Sequence, residues 1–196
     1  KVRFFPEGGN LVEGLSTALG IEVVDARGDG IALKGSIKDG GGKTITEFES
    51  FDFGLGKVNV KPEPNTAYYA SVMINGEEKK FDLPSVNATG YALSVKNRGE
   101  DMILQVSSNT DEGVAGTVLI GHLRGKLIFK RIGKAKDKNA YGVKILNKEL
   151  LDGVALFTLF TPEGEPVCER LVFVDNPNND TRLSIAANAD TYGLRE

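Results

Sequence analysis

Strand-length alternation, broken by turn residues roughly every ten positions, runs through the whole chain, and no long helical period interrupts it. "IEVVDARGDGIALKGSI" (21–37) reads as strand, Gly/Asp turn, strand. "KTITEFESF" (43–51) sets Thr44, Thr46, Phe48 and Ser50 on one face and Ile45, Glu47 and Glu49 on the other. "GKVNVKPEPNTAYYASVMI" (56–74) gives a strand through Val58 and Val60, a Pro/Asn turn, then a strand from Tyr69 to Ile74. Asn75-Gly76 follows as a hairpin signal.

The second half repeats the style. Strands are expected over Tyr91–Lys96, Met102–Ser107, Gly116–Leu123, Lys126–Arg131, Gly142–Ile145, Val154–Phe160, Val167–Val174 and Arg182–Ala187. "NKELLDG" (147–153) is the one helical hint, a turn or two with Asn147 as its N-cap. "LPSVNATG" (83–90), with Pro84 and Gly90, lacks a strand pattern and marks a boundary. The expected architecture is therefore all-β, as two tandem immunoglobulin-like antiparallel β-sandwiches. They span residues 1–84 and 85–189, and 190–196 form a linker. Without βαβ units, a cofactor-binding parallel sheet is not expected.

Counts narrow the chemistry. In 196 residues there is one cysteine, Cys168, and one histidine, His122. That excludes an internal disulfide, a cysteine-cluster zinc site and a two-histidine metal site. A net charge of −3 gives no reason to expect nucleic-acid binding. No apolar run approaches the length of a membrane span, so insertion of this segment is not expected.

Several motifs invite functional readings. Cys168 lies in "TLFTPEGEPVCERLVFV" (158–174), where Val154–Phe160 is apolar on both faces, and Pro162 and Gly164 suit a hairpin turn. In the returning strand Val167, Glu169, Leu171 and Phe173 share one face, and Cys168, Arg170, Val172 and Val174 the other. Cys168 then reads as a small packing residue rather than a nucleophile. "DGGGKT" (39–44) has Ile37 where a phosphate loop needs glycine, and a strand pattern where it needs a helix. "DARGDG" (25–30) puts Arg27 and Ser36 where a calcium loop needs oxygen ligands. "DNPNNDT" (175–181) crowds Asp175, Asn176, Asn178 and Asp180 into one oxygen-rich loop that could hold calcium, although turn chemistry favours the same residues. Asn87 and Asn179 fit the glycosylation acceptor pattern. His122, at a strand end before a Gly turn, reads as an edge histidine, and no Ser/His/Asp set stands out.

Two stretches resemble a known family. "GLGKVNVKPEPNTAYYASV" (54–72) and "ILNKELLDGVALFTLFTPEGEPVCERLVFV" (145–174) are similar to the hallmarks of macroglobulin-type domains. "FFPEGGNLVEGL" (4–15) resembles the start of such domains, especially in large Bacteroidetes cell-envelope proteins associated with TonB-dependent receptors. The resemblance covers about a third of the chain. It implies tandem seven-stranded sandwiches from a longer extracytoplasmic chain, at the periplasm or outer membrane, with neighbouring domains or another envelope protein as partners. Thioester-bearing members need a Cys and a Gln in one motif, whereas the one glutamine here is Gln105, so no thioester is expected. Tyr192 and Arg195 fit the spacing that introduces a following sandwich in that family, so residues 190–196 are expected to pack weakly. No catalytic, cofactor-binding or metal residues are expected. The function expected is structural or interaction scaffolding, with a carbohydrate- or peptide-binding module as the alternative.

Overall fold

A computed structural model describes residues 1–176, 178, 184–189, 191 and 193. The first half contains β1 (Val2–Pro6), β2 (Leu11–Val12), β3 (Thr17–Val23), β4 (Leu33–Asp39), β5 (Thr44–Ser50), β6 (Leu55–Val60), β7 (Tyr68–Ile74) and β8 (Glu77–Asp82). β9 (Val86–Asn87) pairs parallel with β2. The second half contains β10 (Tyr91–Asn97), β11 (Asp101–Ser108), β12 (Val118–Leu123), β13 (Lys126–Ile132), β14 (Ala140–Leu146), β15 (Gly153–Phe160) and β16 (Pro166–Val174).

The first sandwich is one ribbon folded on itself. Its strands run β1-β3-β6-β5-β4-β7-β8 in order, all antiparallel. β5 and β6 join at a single register pair, Ser50 with Gly56, and there the ribbon bends. A Cβ at residue 56 would lie 2.2 Å from the Glu49 carbonyl oxygen, so the corner needs glycine for close approach. Ser50 Oγ steadies it by donating to Ile31 O (2.8 Å) and accepting from Leu33 N (2.9 Å). Bending brings the apolar faces of the two halves together. Leu19, Ile21 and Val58 meet Ile37, Ala70 and Val72 in one core. Phe4 of β1 and Phe48 of β5 cross edge to face, with ring centres 5.7 Å apart.

The second sandwich has two separate sheets, β10-β11-β14 and β13-β12-β15-β16. Leu93, Met102 and Leu104 from the first face Leu119, Phe157, Leu159 and Val174 from the second. The fold is therefore all-β, built of two tandem antiparallel sandwiches. The outer edge strand β8 carries Glu77, Glu78, Lys79 and Lys80 in succession, charge that discourages pairing with another chain.

Four expectations need correction. The stretch 83–90 does contain a strand, two residues long, because β9 finds a partner in β2 that is distant in sequence. Ser184–Ala187 are not strand, so the element expected over Arg182–Ala187 does not form there; Arg182 and Leu183 lie outside the described residues. Asn147 is the first residue of a 3-10 turn (Asn147–Glu149) rather than its cap. It is fully buried, and its Nδ2 donates to Gly99 O (2.7 Å) and Asn97 Oδ1 (3.1 Å), which ties β14 to the β10–β11 turn. The expectation that Val154–Phe160 forms a buried strand fails only at its start, where Val154 is 55% exposed. Tyr192, Leu194 and Arg195 lie outside the described residues.

Phe48 is 5% exposed and spans the fold line of the first sandwich. Phe48→Ala should cost about 3–5 kcal/mol of unfolding free energy by urea titration, the range for deleting a buried aromatic. A loss below about 1 kcal/mol would show that the two halves do not share this core.

Candidate functional site at the junction of the sandwiches

Between β1 and β3 the chain leaves the first sandwich and lies against the second. The segment is "EGGNLVEG" (7–14), and each end of it is anchored at home: Glu7 N donates to Ala18 O (2.8 Å) and Gly14 N to Pro62 O (2.7 Å). In between, it reaches across. Glu7 Oε1 accepts from Val95 N (3.1 Å) on β10 and from Arg170 Nε (3.0 Å) on β16. Only 8% of the Glu7 side chain is accessible, so an unpaired carboxylate there would be expensive, and Arg170 supplies the missing charge. Gly8 O accepts from Glu169 N (3.3 Å), and Asn10 Nδ2 donates to Val167 O (3.0 Å). Gly8 has φ +82°, and a Cβ on it would lie 2.8 Å from Leu93 O, so both backbone conformation and space call for glycine.

A second knot lies at Asn109. Its Nδ2 donates to Glu13 O (2.9 Å) and Ala88 O (2.7 Å), and its Oδ1 accepts from Gly90 N (2.8 Å). One amide thus binds the 7–14 segment, the connection between the sandwiches and the end of β11 together.

These contacts leave a polar cleft of about 200 Å³ between the sandwiches. Lys57 and Asn59 line one wall, and Ser94, Lys96, Gln105 and Ser107 the other, with Glu7 at its base. Glu7 is already paired with Arg170, which leaves the two lysines to set the local charge.

Cys168 lies under the docking segment, on the inner face of β16 as its alternation requires. It is 3% exposed, and its Sγ donates to Tyr91 O (3.4 Å). Burial pushes the thiol from its ordinary 9.0 up to about 12, against a smaller opposing effect of a backbone hydrogen bond from Leu93. The neighbours quoted with it matter more than the thiol does. Val167, Glu169 and Arg170 all contact the segment 7–10. No local pattern gave this away; the nearest signals were two adjacent charges in an otherwise apolar strand and a Glu-Gly-Gly-Asn run far upstream.

The other candidate residues do not gather at the cleft. His122 is exposed on the outer face of β12, between Leu127 and Leu156. Asp39 closes the β4–β5 hairpin by accepting from Gly41 N (3.0 Å) and Lys43 N (2.9 Å), so "DGGGKT" is a turn. Asp25 accepts from Asp29 N (3.0 Å) and Arg27 N (2.8 Å) in the same manner, and the Asp29 bond, foremost, holds its carboxyl below the usual range. In the oxygen-rich loop, Asn176 Nδ2 donates to Leu150 O (2.7 Å), its N donates to Asp152 Oδ1 (2.6 Å), and its Oδ1 accepts from Asn178 N (2.9 Å). Asp175 is exposed, and Asp180 lies outside the described residues. Among the described residues, no three His, Cys, Asp or Glu side chains come together as a metal site. Tyr68 is half-buried, and its hydroxyl accepts from Glu63 N (2.8 Å); Tyr69 carries Lys80 over its ring.

No family model matches the chain, and no curated protein matches it. Among solved structures, the native conformation of E. coli alpha-2-macroglobulin is similar at 14% identity, with a TM-score of 0.30. The match covers 89% of this chain and 14% of that one.

Maleimide should label native Cys168 slowly and the urea-unfolded chain at once, because a buried neutral thiol is a poor nucleophile. The pH dependence follows from the same burial. Below the ordinary thiol value the group is protonated in both states and contributes no slope. From 9.0 towards about 12 only the unfolded chain ionises, so stability falls as pH rises. Cys168→Ala should remove that part of the decline in urea titrations, whereas parallel profiles for the two proteins would show that the thiol ionises in place.

Proposed function

We propose that residues 1–84 and 85–189 are two units of a non-catalytic structural and interaction module within a larger extracytoplasmic protein, held in a fixed mutual orientation. The observation that carries this reading is the docking of residues 7–10 on β10 and β16 through Glu7, Gly8 and Asn10. A tandem joined only by a linker would reorient freely, as domains with small polar contacts do. Here a buried carboxylate, an edge-strand bridge and the Asn109 knot oppose such motion. That suits a spacer that sets the geometry of neighbouring domains in a longer chain, or of another envelope protein. The envelope setting, with a link to TonB-dependent transport, is supported by the sequence resemblance of residues 4–15, 54–72 and 145–174. The polar cleft favours one second reading, a carbohydrate- or peptide-binding module, in which Lys57, Lys96 and Gln105 would meet the ligand.

Spin labels on β8 and on the exposed side of β14, in labelled protein diluted with unlabelled chain, test the fixed orientation by pulsed dipolar distance measurement. The native protein should give one narrow distance distribution. Glu7→Ala should broaden it and lower stability by about 2 kcal/mol, less than for a fully buried pair because Arg170 is 40% exposed. An equally broad distribution in the unsubstituted protein would overturn the reading.

A further inference from the structure

The outer face of the four-stranded sheet in the second sandwich carries several well-exposed apolar side chains around a buried Thr158. Register places Leu127, His122, Leu156 and Leu171 in one row across β13, β12, β15 and β16. Val154 and Phe173 pair directly beside it. Leu127, Ile132, Val154, Leu171 and Phe173, all on this sheet, are each more than half exposed. Side chains adjacent by register act as one surface, and a patch of this kind rimmed by charge marks an interaction site rather than a scatter of single apolar residues.

A neighbouring row identifies the occupant. Lys130, Ile120, Thr158 and Glu169 lie across the same four strands, with a cation at the β13 end and an anion at the β16 end. Consider a two-fold axis parallel to the strands, between β12 and β15. It carries the β13 end of one copy over the β16 end of the other. Lys130 then faces Glu169 of the partner subunit, and Leu127 faces Leu171 of the partner subunit. The row is thus complementary to itself, the condition for an isologous interface. Sheets stack face to face in this aligned way about 10 Å apart.

The shape of the junction agrees with the same axis. Beside β16 the first sandwich rises to form one wall of a groove of about 540 Å³, with Phe5, Ala18 and Gly20 opposite Leu156 and Leu171. The two-fold brings the other copy's β13, an edge strand, to this groove. Phe5, itself 52% exposed, would be covered at the same time.

We propose that this face is a self-association surface on which a second copy of the chain docks about that axis. The inference rests on the rigid-spacer reading only for the wall at Phe5, because the complementary rows lie on one sandwich alone.

Sedimentation equilibrium over an about hundredfold dilution series tests it, since a dimer dissociates by mass action. The native protein should sediment as a dimer that dissociates on dilution. Leu171→Asp should give monomer, with a circular dichroism spectrum unchanged. Lys130→Glu and Glu169→Lys should each weaken the dimer at least about tenfold, because each sets like charges opposite at two places. The double variant restores both pairs and should recover most of the native association. Monomer at every concentration would overturn the proposal. So would a dimer indifferent to Leu171→Asp, or charge reversals that do not rescue each other.

Discussion

The structure depends on what covers the edge of β16. This strand ends the four-stranded sheet, so one side of its backbone lacks a partner within that sheet. Free N–H and C=O groups on an apolar strand are costly to bury and hazardous to expose. Gly8 and Asn10 satisfy Glu169 N and Val167 O from outside the sandwich. Once that segment is in place, Glu7 is close enough to reach Arg170 and Val95, and its buried charge fixes the alignment further. The two sandwiches are joined by the same device that finishes one of their sheets.

Much of the fold could be read from local pattern because its turns are local. Asn75-Gly76, the Asp39–Lys43 loop and the Thr161–Glu165 loop each close a hairpin with their own backbone bonds. The inward sets on β5 and β16 follow from alternation alone, and Phe48, Cys168, Val172 and Val174 are buried accordingly. What escaped were contacts made at long range. β9 is a strand because β2 lies beside it, more than seventy positions upstream. Asn147 looks like a cap by spacing, yet its amide is taken by Asn97 and Gly99. The junction belongs to the same class: "PEGGN" has ordinary loop composition, and only the folded chain shows Glu7 inserted between β10 and β16.

The outer faces of the two sheets in the second sandwich differ. β10 and β11 present Ser94, Lys96, Gln105 and Ser107 to the cleft. β12, β13, β15 and β16 present mostly leucine, isoleucine, valine and phenylalanine, with His122, Lys130 and Glu169 among them. Alternation allows either outcome, since it fixes which residues face outward but not how polar they are. One face of this sandwich therefore behaves as ordinary wet surface, while the other has the chemistry of a second core without the matching layer.

The covering of β16 by Gly8–Asn10 also bears on proteolysis. Those residues precede almost all of the first sandwich in sequence, so a cut between Asn10 and β3 can separate the cover from a strand 157 positions further on. The exposed sequence would be "VCERLVFV", rich in β-branched and aromatic residues and free of proline. Such an edge is a template for intermolecular strand addition. A nick that leaves the second core intact would then drive the protein to aggregate, and the trimmed species would be lost as precipitate before it could be recovered as a folded fragment.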